Sequence, residues 1–324
     1  MRRVILVLAV VVLILAVLGL LAALHDRPPL APAGAWLAAS GLEARHETVD
    51  GHRLRFVRAG AGPPVVLVHG FASSLYTWKD VLPALARSHD VIALDLPGFG
   101  GSDRPADLSF EELPAAVVGL MDRLGVARAA LVGNSMGGGV VAVVAGARPE
   151  RVSALVLIDA AGFDLEPEDQ PGMVRLMMSP LGPLVGDLPG QRLAVEATLS
   201  QVFHDDGLVT DERVAEYLDG VARPGTFEAM RSLGHSLGNE TAVVQDALPG
   251  IEAPTLVVWG REDRWIPLRD ADLFVAAISG AEKVVFDSCG HMPQEEKPEE
   301  LGELLGEFLP PSETEAGEAT SARG

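Results

Sequence analysis

The sequence predicts an α/β fold: a mostly parallel sheet with helices on both faces. From residue 42 onward, short apolar runs rich in β-branched residues alternate with helix-like segments, the order that builds a sheet through crossover helices. The runs are apolar without interruption instead of alternating with polar residues, the pattern of strands buried on both faces. One of them leads directly into a serine set among glycines, "LVGNSMGGG", Leu131 to Gly139.

Taken in order, residues 4–24 ("VILVLAVVVLILAVLGLLAAL") carry no charged or polar side chain. That length matches the roughly 20 residues that cross a bilayer as a helix and exceeds the about 7–15 of a signal-peptide core. A retained transmembrane anchor or uncleaved signal is expected over residues 1–25. Arg2 and Arg3 precede the run and only Arg27 lies near its far end, so the positive-inside rule directs the rest of the chain out of the cytoplasm. Residues 26–40, rich in Pro and Ala, read as a linker. "ARHETVDGHRLRFVRAG" reads as two strands joined by a hairpin turn at Asp50-Gly51. "PVVLVHG", "VIALDLPG", "AALVGNS", "ALVLIDA", "PTLVVWG" and "KVVFDSC" complete eight strands. About ninety residues separate Ile158 from Thr255, far more than one crossover helix needs. Amphipathic stretches at Met173–Val185, Gln191–Phe203, Asp211–Val221 and Thr226–Leu237 predict a helical cap over residues 163–250, inserted after the sixth strand. The core is thereby divided into residues 41–162 and 251–310, and residues 311–324 have the composition of a disordered tail.

Composition removes several function classes. At 324 residues and 48% apolar the chain can bury a large core, and its net charge of −20 argues against a nucleic-acid partner. Cys289 is the single cysteine, so neither a disulfide framework nor a cysteine-based zinc site is available. The eight histidines show no tight ligand spacing, and no metal is expected. In "PGFGGS" the third glycine of a dinucleotide fingerprint falls on Asp103, so no nucleotide cofactor is expected either.

The serine is the informative residue. In Gly133-Asn134-Ser135-Met136-Gly137 a strand turns sharply into a helix, and the positions two residues either side must be small because strand and helix nearly collide. Gly133 and Gly137 are the expected structural residues of this elbow. The turn would lift Ser135 clear of the sheet beside a helix N-terminus, whose free N–H groups favour negative charge. A serine hydroxyl needs a base, and the base a carboxylate to hold its tautomer. "LVVWGREDRWIP" supplies Asp263 behind one strand and "VVFDSCGHMPQEE" supplies His291 behind the next. Glu262 and Asp159 compete for the role of acid, Asp263 being favoured by its spacing after Trp259-Gly260. His69 precedes the serine and reads as a packing residue, and Cys289 as a small buried hydrophobe.

On these motifs, "VLVHGFASS", "LDLPGFGGSDRP", "GNSMGG", "WGREDRWIP" and "CGHMPQEEKP", the chain from about residue 42 to 309 resembles the α/β-hydrolase fold family. The resemblance implies Ser135 as nucleophile, His291 as base, Asp263 as its orienting acid, and an oxyanion hole from the backbone N–H groups of Phe71 and Met136. It implies a serine hydrolase without cofactor or metal. The substrate expected is a small hydrophobic or lipid-derived carboxylic ester, with the membrane met through the N-terminal helix. The alternatives are hydrolysis of a carbon–carbon bond in a ring-cleavage product, whose enzymes "GNSMGG" and "GREDR" resemble, and a haloperoxidase-like perhydrolase using the same triad. "HGFASS" and Met292 depart from the ring-cleavage subgroup, which usually has a more glycine-rich oxyanion loop and an aromatic residue after the histidine.

Overall fold

The computed structural model of the chain describes residue 30, residues 32–164 and residues 191–311, with residues 235–239 in backbone only. Eight strands form one sheet: β1 (Arg45–Val49), β2 (His52–Ala59), β3 (Pro64–Val68), β4 (Asp90–Leu94), β5 (Ala129–Asn134), β6 (Val152–Ile158), β7 (Thr255–Gly260) and β8 (Glu282–Phe286). Their order across the sheet is β1-β2-β4-β3-β5-β6-β7-β8. β1 and β2 pair antiparallel, as do β2 and β4, and every other pair is parallel. The predicted hairpin is present: Asp50 and Gly51 both take positive φ, 47° and 87°, as a tight two-residue turn requires.

The uninterrupted apolar runs have a direct explanation. Successive strand residues point to opposite faces. Val66, Val68, Ile92, Leu94, Leu131 and Leu157 enter one core, while Val65, Leu67, Val91, Ala93, Val132 and Val156 enter the other. Both cores exist because helices cover both faces. In chain order these are α1 (Ala35–Ser40), α2 (Leu82–Leu85), α3 (Glu112–Arg123), α4 (Met136–Ala147), α5 (Gln191–Val202), α6 (Asp211–Ala222), α7 (Thr226–Ala247), α8 (Arg269–Ala277), α9 (Pro293–Glu296) and α10 (Pro298–Phe308). The last strand departs from expectation. β8 is the sheet's edge, and Glu282 and Lys283 are exposed there, so its apolar run is only half covered.

Helices α5, α6 and α7 stand between β6 and β7, where the insertion was expected. The predicted stretch from Met173 to Val185 lies outside the described residues, as does the tail from residue 312 on. Part of the expected linker is ordered: α1 lies within it, with Trp36 edge-on to Tyr76 at 5.7 Å and the Gly34 N–H donating to Glu216 of α6. The expected location is corrected. Among the described residues no helix is long and apolar enough to cross a membrane. Residues 4–24, on which the anchor and the extracytoplasmic placement rested, lie outside them, and neither expectation is carried further.

Candidate active site

Ser135 sits where β5 ends and α4 begins, at φ 55° and ψ −125°, a conformation L-residues adopt only when the surroundings force it. The forcing groups can be named. A methyl on Gly133 would meet the Gly137 carbonyl oxygen at 2.3 Å, and one on Gly137 would meet that of Val68 at 2.3 Å. The Ser135 N–H donates to the Ile158 carbonyl at 3.0 Å, and the Ser135 carbonyl accepts from Gly138 at 2.9 Å and Ala161 at 2.9 Å. From Ala129 to Ala142 every residue is buried except Ser135. The elbow thus presents one side chain and hides the rest.

The structure brings His291 and Asp263 together. The His291 Nδ1–H donates to Asp263 Oδ2 at 2.8 Å, since a carboxylate can only accept, and the two side chains are 3% and 0% exposed. Asp263 Oδ1 accepts from the backbone N–H groups of Trp265 at 2.7 Å and Ile266 at 3.1 Å, so the carboxylate is held at both oxygens. The histidine loop is tied to the elbow: Asn134, beside Ser135, donates from Nδ2 to the His291 carbonyl at 3.1 Å. Gly70 lies against the serine, close enough that a methyl on it would meet Ser135 Cβ at 2.9 Å. Phe71, the next residue, is half-buried and edge-on to Phe99 at 5.7 Å, while Met136 is buried in the first turn of α4. The N–H groups of Met136 and Gly137 open that helix at the serine's end.

The other residues singled out by sequence have different company. His69 is wholly buried, its Nδ1–H donating to the Gly70 carbonyl at 2.7 Å and its Nε2 accepting from Leu96 at 3.0 Å. Burial lowers its pKa, which keeps the ring neutral. Glu262 accepts from the Cys289 N–H at 3.0 Å and does not reach His291 Nδ1, which Asp263 occupies. Cys289 is buried, and burial pushes its thiol pKa up. Asp159, the other competitor, is also at the site, its carboxyl within 4.8 Å of Asp263 and His291.

Three contributors escaped the sequence reading. Trp265 stacks on the His291 ring, centroids 5.7 Å apart and planes 29° from parallel. Glu296 accepts from Gly290 at 2.8 Å and Met292 at 3.3 Å, bracketing His291. Asn134 supplies the tie already described. Asn134 and Glu296 sit in quoted motifs, "GNSMGG" and "CGHMPQEEKP", but nothing in a linear spacing says which backbone groups they bond.

Residues 63–298 match the family model described as alpha/beta hydrolase fold, and the chain belongs to that family. It is 34% identical over 81% of its length to the dihydrolipoyllysine-residue acetyltransferase component of the acetoin cleaving system of Cupriavidus necator, 67% of which is covered. It is 33% identical over 80% of its length to a 2-hydroxymuconate semialdehyde hydrolase of a Pseudomonas species, 91% of which is covered. Among solved structures it resembles a membrane phospholipase A described as a bacterial virulence factor. That match has a TM-score of 0.70 and 27% identity, covering 95% of this chain and 98% of that one.

Proposed function

We propose that the protein is a serine hydrolase that cleaves a carboxylic ester with a hydrophobic acyl group through an acyl-enzyme. The observation that carries this reading is the bond from His291 Nδ1 to a fully buried, doubly held Asp263, on a loop tied to the Ser135 elbow. With Nδ1 committed to Asp263, Nε2 is left to take the proton of Ser135 as Oγ attacks the acyl carbonyl, and to return it to the leaving alcohol. Water then attacks the acyl-enzyme by the same route in reverse. The oxyanion would be met by the N–H groups of Phe71 and Met136.

The surroundings support a neutral acyl group. The carboxyl groups of Asp159 and Asp263 lie beside His291, that of Glu296 holds the backbone on either side of it, and Trp265, Met292 and the end of α5 at Val202 are among its other neighbours. An anionic substrate gains nothing from such company. A second reading, carbon–carbon bond hydrolysis of a ring-cleavage product, is favoured by the 33% identity to the 2-hydroxymuconate semialdehyde hydrolase. Both readings use the same triad.

The test is turnover of p-nitrophenyl esters of increasing acyl length, and of 2-hydroxymuconate semialdehyde, by the wild type and Ser135→Ala. Ester turnover that falls on the order of 10³-fold or more in the variant is the expected result. Turnover of the semialdehyde alone moves the assignment to the second reading, and equal rates in both proteins remove Ser135 from the mechanism.

A further inference from the structure

The acid of the site is not alone. Asp159 follows β6 as Asp263 follows β7, and because these strands are neighbours in the sheet their ends deliver two carboxyl groups to one place. Asp159 is wholly buried and its backbone takes φ 42°, so its side chain is aimed by a conformation that costs free energy. One oxygen accepts from the Gly260 N–H at 2.9 Å, and the other, Oδ2, is shielded from water without a conventional partner among the described residues. One atom each of Asp159, Asp263 and His291 lies within 4.8 Å of the others.

Resting on the triad reading above, we propose that Asp159 is a positioning residue: a neutral carboxylic acid whose O–H donates to Asp263 and holds that carboxylate, as the anion, against His291. Two buried carboxyl groups this close cannot both be ionised, so one keeps a proton. The partners decide which. Asp263 accepts three N–H groups, from His291, Trp265 and Ile266, all of which stabilise the anion. Asp159 accepts one. Placing the proton on Asp159 also gives its orphaned oxygen a role as donor, whereas an ionised Asp159 would leave a buried charge unpaired. Burial, and next the negative charge of Asp263, raise the pKa of Asp159 well above the usual carboxylate range. Among the described residues the titratable groups around it are Asp263, His291, Glu296 and Cys289, none of which brings a fixed positive charge.

The test compares Asp159→Asn with Asp159→Leu in the full chain. Asparagine copies the neutral acid, accepting from Gly260 and donating to Asp263; leucine removes the donor. The leucine variant is expected to lose about tenfold or more in kcat on a p-nitrophenyl ester with KM little changed, because a misplaced base costs turnover, and the asparagine variant to recover most of that loss. The pH profile decides the proton. A neutral Asp159 predicts that the acid limb of kcat/KM, set by His291, coincides in wild type and Asp159→Asn. An ionised Asp159 predicts that the amide removes a negative charge and moves the limb down by about one pH unit or more, which would overturn the proposal. Infrared difference spectra of wild type minus Asp159→Asn at neutral pH give a readout independent of substrate. A protonated-carboxyl stretch lost in the variant supports the proposal even if no ester is turned over, and a carboxylate band in its place refutes it.

Discussion

Glu240 offers the most quantitative prediction. It lies in α7 on the stripe that carries Leu233 and Val244, is 4% exposed, and among the described residues neither of its oxygens has a hydrogen-bond partner. Burial alone pushes its pKa to about 8 from an ordinary 4.5. Below pH 4.5 the acid is protonated in both folded and unfolded chains and contributes no pH dependence. Between there and about pH 8 the unfolded chain has released the proton that the folded chain keeps, so the unfolded state binds fewer protons and stability falls as pH rises. At about 1.36 kcal/mol per unit, the gap amounts to on the order of 5 kcal/mol, fully lost above about pH 8, where both states are ionised. That is a large share of the roughly 5–15 kcal/mol by which domains are stable.

Asp159, Glu295 and Glu296 also have raised pKa values, each led by burial, and slope in the same direction. Glu240→Gln isolates one contribution, because glutamine keeps the shape and neutrality of the protonated acid. Urea unfolding of both proteins from pH 5 to pH 9 should give nearly equal stabilities at the acid end. The variant should pull ahead by several kcal/mol at the alkaline end, approaching the roughly 5 kcal/mol limit. Two parallel curves with a constant offset would refute the burial argument.

Two further predictions concern the frame of the site. Gly137→Ala puts a methyl 2.3 Å from the Val68 carbonyl oxygen and 2.5 Å from that of His69, so the elbow must shift. Urea unfolding should show a loss of about 1–3 kcal/mol, and ester turnover should fall about 100-fold as Ser135 moves. Arg213→Met strands Glu295, a buried carboxylate whose Arg213 Nε–H bond is 3.0 Å long, and should cost about 3–5 kcal/mol, while adding Glu295→Leu should restore part of it. A double variant no better than the single one would mean that the pair matters for shape and not for charge.

The fold was legible because its signal is local. Each strand of the parallel core needs two buried faces, and that requirement writes an unbroken apolar run into the chain. The β8 run is equally apolar, yet it lies at the edge, since only the order of strands in space decides which run is last. The proposed catalytic residues could be singled out for a related reason: Ser135, Asp263 and His291 each follow a strand, and strand ends converge. The same rule also placed Asp159 among the competing acids, but it could not show that β6 and β7 are adjacent and bring both carboxyls together. Glu240 was illegible because burial of one acid on an amphipathic helix depends on what packs over it.

Helices α5 and α6 are bonded to the segment that carries His291. The His291 N–H donates to the Val202 carbonyl at the end of α5 at 2.8 Å, and the His204 N–H donates to Glu296 Oε2 at 2.7 Å. Glu296 uses its other oxygen on Gly290 and Met292, so one carboxylate joins the inserted segment to both sides of His291. One residue earlier, Glu295 accepts from Arg213 and Tyr217 of α6 and from Thr77 of the core. Each ordinary bond is worth about 1 kcal/mol net, and the buried Arg213–Glu295 pair costs far more to break than to keep. If α5 and α6 swung away as a lid, His291, the base of the proposed mechanism, would lose its backbone anchor at the step that needs it. The same contacts that hold the His291 loop therefore fix these two helices, and an opening that preserves the His291–Asp263 pair has to leave residues 202–217 in place.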